Sequence, residues 1–122
     1  MTLRSVGDEE RVTSETGGQK GRKPEQISTV DPLALLKLAE VSGFGAQKYE
    51  AFNYLRGYDW ALSYDAAQRH LMQFWLGEDH DRESGLLHPL HAAWHCLALG
   101  SFQMRGLGTD SRFRQQAIAI GP

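Results

Sequence analysis

Apolar residues in this chain gather into three blocks, separated by stretches rich in glycine and polar side chains. The first block opens at Asp31-Pro32, an N-cap residue followed by proline at the first helical position. Leu33, Leu36 and Val41, with Leu35 and Leu38 alongside, give it a broad apolar face. Gly43 and Gly45 are expected to end or bend this helix. The next stretch, GAQKYEAFNYLRGYDW, reads as an aromatic-rich loop with Gly57 as a turn residue. Ser63 can cap a second helix, in which Tyr64, Ala67, Leu71, Phe74 and Trp75 recur at helical spacing and Gly77 supplies the stop. Ser84 or Gly85 opens a third helix. Pro89 falls in or near its first turn, and its apolar run continues to about Gly106. The pattern predicts an all-α fold of three main helices, with almost no convincing strand and no internal repeat.

The two ends differ from this body. Residues 1–30 are polar around GGQKGRKP, a composition that does not offset the entropy of ordering, so a flexible arm is expected there. Lys20, Arg22 and Lys23 stand beside Gly17, Gly18 and Gly21. They read either as a solvated linker or as an arm that closes on phosphates. Residues 107–122 read as a C-terminal tail, with Ala117 to Ile120 as a docking segment, which leaves 31–106 as the helical domain.

Composition narrows the possibilities. A chain of 122 residues with 41% hydrophobic content suits one domain with a modest core. The net charge of -2 lacks the basic excess of a nucleic-acid binder. No apolar run approaches the roughly 18 residues of a membrane span, and the N-terminus has no apolar signal region, so a cytoplasmic location is expected. The single Cys96 fits a reducing compartment and, in its apolar surroundings, is expected to be a buried small hydrophobe.

The chemistry concentrates in one place. All five histidines lie between residues 70 and 95, and the stretch GEDHDRESGLLHPLH over 77–91 adds four carboxylates. His88, His91 and His95 form one stripe on a helix, although the HExxH pattern of zinc proteases is absent. Glu78 and Asp81 are the better ligand pair, because carboxylate oxygens hold Mg²⁺ while leaving positions for water and phosphate. Asp79, His80 and Glu83 read more plainly as solvated neighbours. Arg69 and His70 are adjacent and so project in different directions. Lys48, Arg56 and Arg69 are cations suited to phosphate. Of Tyr49, Phe52, Tyr54, Tyr58 and Trp60, at least three are expected in the core, and the others are free to stack on a base.

The segments GGQK, GRKP, GAQKYEAFNY, RHLMQFWLGEDHDRESG and HPLH, from about Gly17 to Ala98, resemble the bacteriophage dATP/dGTP diphosphohydrolases. These are small all-α enzymes related to the MazG pyrophosphohydrolases, and the chain looks most like their MazZ type. The resemblance implies a MazG-like helical bundle that assembles as a homodimer or homotetramer. It also implies Mg²⁺- or Mn²⁺-dependent cleavage of a nucleoside triphosphate between the α and β phosphates. For the MazZ type the substrate is dGTP (with GTP), and the dGMP formed feeds 2-aminoadenine nucleotide synthesis, in the host cytoplasm for a phage protein. Carried onto this chain, Glu78 and Asp81 hold the metal, and these two with His70 and His88 form the catalytic set. Lys20, Lys23, Lys48, Tyr49, Asn53, Arg69, Ser84 and His91 contact substrate. The chain departs from the pattern at Tyr54, where tryptophan is usual, and at His95, where asparagine is usual. It also lacks the paired ExxE and ExxD of MazG proteins, which leaves Glu40, Glu50 or Asp79 as further ligand candidates. Two other classes stay open: an HD-like phosphohydrolase using the adjacent His80-Asp81 to release triphosphate, and a non-catalytic nucleotide-binding helical module.

Overall fold

The computed structural model describes residues 9–114, so the segment Ala117 to Ile120 lies outside it. The chain divides into two compact units, Met1–Pro32 and Leu33–Pro122.

The N-terminal unit corrects the expectation of almost no strand. Strands β1 (Glu10–Thr13) and β2 (Gln19–Arg22) pair antiparallel, with Glu10 opposite Arg22 and Val12 opposite Lys20. Neither face of this hairpin is buried, so the apolar alternation that announces most strands is missing. Turn chemistry closes it instead. Gly17 adopts φ 90°, Ser14 N–H donates to Gly18 O at 2.8 Å, and Gly18 N–H donates to Ser14 Oγ at 3.0 Å. Lys23 pairs with Glu9 at 3.8 Å. A 3-10 turn over Ile27–Thr29 follows.

Helix α1 (Pro32–Lys48) starts where Asp31-Pro32 predicts, but it runs through Gly43 and Gly45. A glycine inside a helix costs about 1 kcal/mol relative to alanine. That is too little to stop propagation when Ala46, Gln47 and Lys48 follow. A 3-10 turn over Asn53–Arg56 then leads to α2 (Trp60–Trp75). Its cap is Asp59, which accepts from Ala61 N–H at 2.9 Å, and not Ser63, which lies a turn inside the helix. Gly77 ends the helix region at φ 100°, as expected. Helix α3 (His88–Arg105) begins beyond Ser84 and Gly85, because those residues belong to a turn closed on Asp81. Pro89 lies in its first turn and Gly106 caps it at φ 67°.

Helices α2 and α3 form an antiparallel pair. Tyr58 beside α2 meets Phe102, Ser63 meets His95, and His70 meets His88, so contacts run in opposite order along the two segments. The buried residues of α2 are small, namely Ser63, Ala66 and Ala67, and they face Ala92, Ala98 and Phe102 on α3. Small side chains let the helices approach closely. The larger apolar residues of α2 are thereby turned outward, and Tyr64, Leu71, Phe74 and Trp75 are exposed where the sequence pattern places them inside. Cys96 is also exposed, where its apolar surroundings in the sequence predict burial. Residues 107–114 fold back on the start of α2. Trp60 Nε1–H donates to Leu107 O at 2.9 Å, and the Arg112 guanidinium lies 5.0 Å from the Trp60 ring centroid. Gly108 permits this approach, because a Cβ there would sit 2.3 Å from Tyr58 O.

Candidate active site

Four histidines meet where α2 and α3 come together. His70 projects from α2 onto the α3 stripe, stacking on His91 with centroids 4.4 Å apart and lying 6.2 Å from His95. Its Nδ1 lies 2.9 Å from Nδ1 of His88. His88 is 2% exposed and its other nitrogen, Nε2, is bonded to Glu78 Oε1 at 2.9 Å. The carboxylate therefore orients His88 so that Nδ1 faces the cluster.

Asp81 approaches from the loop between the helices. Its Oδ2 accepts from the backbone N–H of Ser84 at 2.9 Å and of Glu83 at 3.2 Å. It also lies 3.9 Å from His91 Nε2, which shares a 2.6 Å hydrogen bond with Ser84 Oγ. One donor atom each from His70, Asp81 and His88 falls within 4.8 Å of the others. Of the expected pair, Asp81 thus belongs to a compact ligand set, while Glu78 is bonded to a member of it. His80, the partner of Asp81 that HD-like chemistry needs, pairs its backbone with Leu87 and is not in the set. Two imidazoles and a carboxylate suit Mn²⁺, Zn²⁺ or Fe²⁺ at least as well as Mg²⁺. The donor set therefore fits a divalent cation.

The electrostatics favour neutral imidazoles. Burial, then the neighbouring histidines, lowers His70 below its ordinary value, and burial lowers His91 against the opposing pull of Asp81. Burial takes His95 down to about 4. The hydrogen bond from His88 lowers Glu78. Burial pushes Asp81 upward, but hydrogen bonds from Ser84 and the nearby histidines outweigh it, and the carboxyl stays below its usual value.

Two cavities border this cluster. The larger, about 700 Å³, lies among α1, the 3-10 turn and the α2–α3 pair, within the usual size of a ligand site. Tyr49, Phe52, Asn53, Tyr54 and Trp94 line it, with His91 and His95 at the cluster end. Phe52 holds left-handed backbone at φ 61° and is 70% exposed at this site. Tyr54 packs edge-on against Trp94 and Tyr58 against Phe102, and Trp60 is anchored to Leu107. These three are half-buried, whereas Tyr49 and Phe52 are open. The smaller cavity, about 400 Å³, is lined by Arg69, Gln73 and Arg82 together with His70, Glu78 and His88.

Lys48 is not a free cation: its Nζ pairs with Glu83 at 2.9 Å, and that hydrogen bond raises the lysine. Arg56 likewise pairs with Glu50. Lys20 and Lys23 belong to the N-terminal unit. Residue spacing presents Ser63 as a helix cap and Tyr58 as one of five aromatics, and links neither to His95. Tyr58 OH bonds Ser63 Oγ at 2.5 Å, and Ser63 Oγ bonds His95 Nδ1 at 2.9 Å, which fixes that ring. A serine two turns before His70 on an otherwise apolar helix face was the available signal.

Comparison with known proteins bears on this arrangement. A phage protein of Salmonella phage PMBT28, named dATP/dGTP diphosphohydrolase, is 36% identical over 74 residues. The matched segment covers 61% of this chain but only 24% of that protein's length. No solved structure matches. The model of the dATP/dGTP diphosphohydrolase N-terminal family matches residues 14–112, a span that takes in strand β2, both cavities and the whole histidine cluster. With most of its length matched in this way, the chain belongs to the dATP/dGTP diphosphohydrolase N-terminal family.

Proposed function

We propose that this protein is a metal-dependent nucleoside triphosphate diphosphohydrolase that cleaves between the α and β phosphates. The observation that carries the reading is the His70–Asp81–His88 ligand set, placed between an aromatic cavity and a polar one. The nucleoside enters the aromatic cavity, where Tyr49 and Phe52 stack on the base and Asn53 supplies hydrogen bonds. Lys48, which lines the larger cavity, and Arg69, which lines the smaller, contact the phosphates.

His70, Asp81 and His88 hold the divalent ion, with Glu78 orienting His88. Such an ion, Mn²⁺ or Mg²⁺, neutralises phosphate oxygens and lowers the pKa of bound water. The chain's own residues do the remaining work, which in phosphoryl transfer is mostly positioning and electrostatics. A water oxygen forms the new bond to the α-phosphorus. The bond from that phosphorus to the bridging oxygen breaks, and pyrophosphate leaves with the oxygen and its electron pair. His91, neutral and held by Ser84, accepts the proton of the attacking water, and Asp81 beside it stabilises the resulting charge.

The finer reading, a preference for dGTP with GTP and the supply of dGMP to phage 2-aminoadenine synthesis, rests on the sequence resemblance to MazZ-type enzymes. Pyrophosphate release from a panel of eight ribo- and deoxynucleoside triphosphates, each with Mg²⁺ and with Mn²⁺, tests both levels. Fastest release from dGTP supports the full reading. Release of triphosphate, or tight binding without turnover, overturns it.

A further inference from the structure

The two cavities differ in chemistry but share a wall, formed by His70, Asp81 and Glu83. The larger is walled by aromatic rings. The smaller carries two guanidinium groups, Arg69 and Arg82, and the amide of Gln73. Arg69 has no ion-pair partner among the described residues. Arg82 pairs with Glu78 at 3.3 Å, but its side chain is 91% exposed, so it can turn toward a ligand at little cost. Guanidinium forks match phosphate oxygens in pairs. A space of about 400 Å³ with two forks and one amide has room for a diphosphate, and it carries none of the aromatic rings that line the larger cavity apart from imidazoles.

From this we infer that the smaller cavity is a pyrophosphate site, built by Arg69, Gln73 and Arg82, which receives the leaving group while the nucleoside stays in the aromatic cavity. The inference rests on the proposed diphosphohydrolase reading and adds to it a direction. The nucleotide lies across the histidine cluster, with its α-phosphate at the shared wall. The products then leave through different openings. Glu78, Asp81 and Glu83 also face the cavity, so the anion enters as its complex with a divalent ion. Arg82 stands between the two groups because it is tethered to Glu78, which in turn holds His88. Occupation of the site by pyrophosphate thus competes directly for the Arg82–Glu78 pair.

Calorimetric titration with inorganic pyrophosphate in Mn²⁺, on wild type, Arg82→Gln and Arg69→Gln, tests the site without requiring turnover. The expected result is a Kd for pyrophosphate raised tenfold or more in each variant, with dGMP binding changed less than twofold. Arg82→Lys, which keeps the charge but not the fork, should fall between. Pyrophosphate affinity unchanged in both glutamine variants overturns the inference, and so does an equal loss of dGMP and pyrophosphate binding. If triphosphates are not hydrolysed but the pyrophosphate result holds, the catalytic reading fails while the site stands. Far-ultraviolet circular dichroism on each variant separates unfolding from lost binding.

Discussion

Nδ1 of His70 and Nδ1 of His88 face each other at 2.9 Å, with Asp81 alongside. Two like nitrogens at that distance hold one proton between them or are bridged by a cation, and two protons there would repel. Glu78 on the far side of His88 fixes which nitrogen is presented. Binding of Mn²⁺ should therefore expel a proton and raise thermal stability. A ligand at a hundredfold excess over its Kd adds about 2.7 kcal/mol to a folded state it alone recognises. Calorimetry in buffers of different ionisation enthalpy would read the proton release. Absence of both proton release and a Tm increase would sink the ligand set.

The same geometry separates Glu78 from Asp81, which the residue pattern treats as a matched pair. Asp81→Asn removes a ligand and should abolish pyrophosphate release. Glu78→Gln leaves all three donors present but loosens His88, and losses of such supporting partners run about 10–100-fold in metal affinity. Activity in Glu78→Gln should therefore recover at raised Mn²⁺, and that of Asp81→Asn should not. Equal loss in both, with no recovery, would place Glu78 among the ligands.

Much of this site was legible in the residues, and the exceptions share a cause. The spacing of His88, His91 and His95 on one helix is a local property, so their common stripe followed from periodicity alone. The partner that completes the ligand set, His70, lies on another helix. Residue spacing marks it only as a histidine near the cluster; the family resemblance adds it to the catalytic set without naming its partner, and the antiparallel packing of α2 on α3 is what brings the two Nδ1 atoms together. The core face of α2 was misplaced because close packing selects Ser63, Ala66 and Ala67, which carry little hydrophobic signal, over Leu71 and Phe74. The β1–β2 hairpin was missed because it buries nothing, and its evidence is confined to Ser14, Gly17 and Gly18 in the turn.

Acid should loosen the helix pair before it affects the carboxylates. The folded-state values of His70, His91 and His95 all lie below the unfolded value near 6.5, with His95 at about 4. The unfolded chain therefore binds protons first. Stability is complete above about pH 6.5 and declines as pH falls toward 4. A Tm series from pH 7.5 to 4.5 should show this slope, flattened in His95→Asn, which cannot take up the proton. A wild-type profile that is level down to pH 5 would contradict the assigned burial of these rings.

Phe52 offers a contrast between stability and binding. It is the only non-glycine residue at positive φ among those described, and it is largely exposed, so packing does not repay the strain. Left-handed backbone at such a residue costs about 1 kcal/mol or more. Phe52→Asn, which tolerates that conformation, should hold or raise Tm while raising the KM for dGTP severalfold. A fall in Tm together with an unchanged KM would assign Phe52 a structural role and remove it from the base site.

The outward rows of α1 and α2 bear on assembly. Leu71, Met72, Phe74, Trp75 and Leu76 are all more than two-fifths exposed, and Leu33 and Leu36 on α1 are exposed as well. Apolar surface of this extent on a 13.7 kDa chain marks an association face. We expect self-association as a dimer or tetramer, because a second copy offers the same apolar rows for a symmetric contact. Sedimentation should then show a species at least twice the monomer mass. Trp75→Lys, which sets a charge in the most exposed ring of the row, should shift it to monomer without altering the circular dichroism spectrum. A wild-type protein that sediments as monomer at working concentration would leave these rows for a different partner.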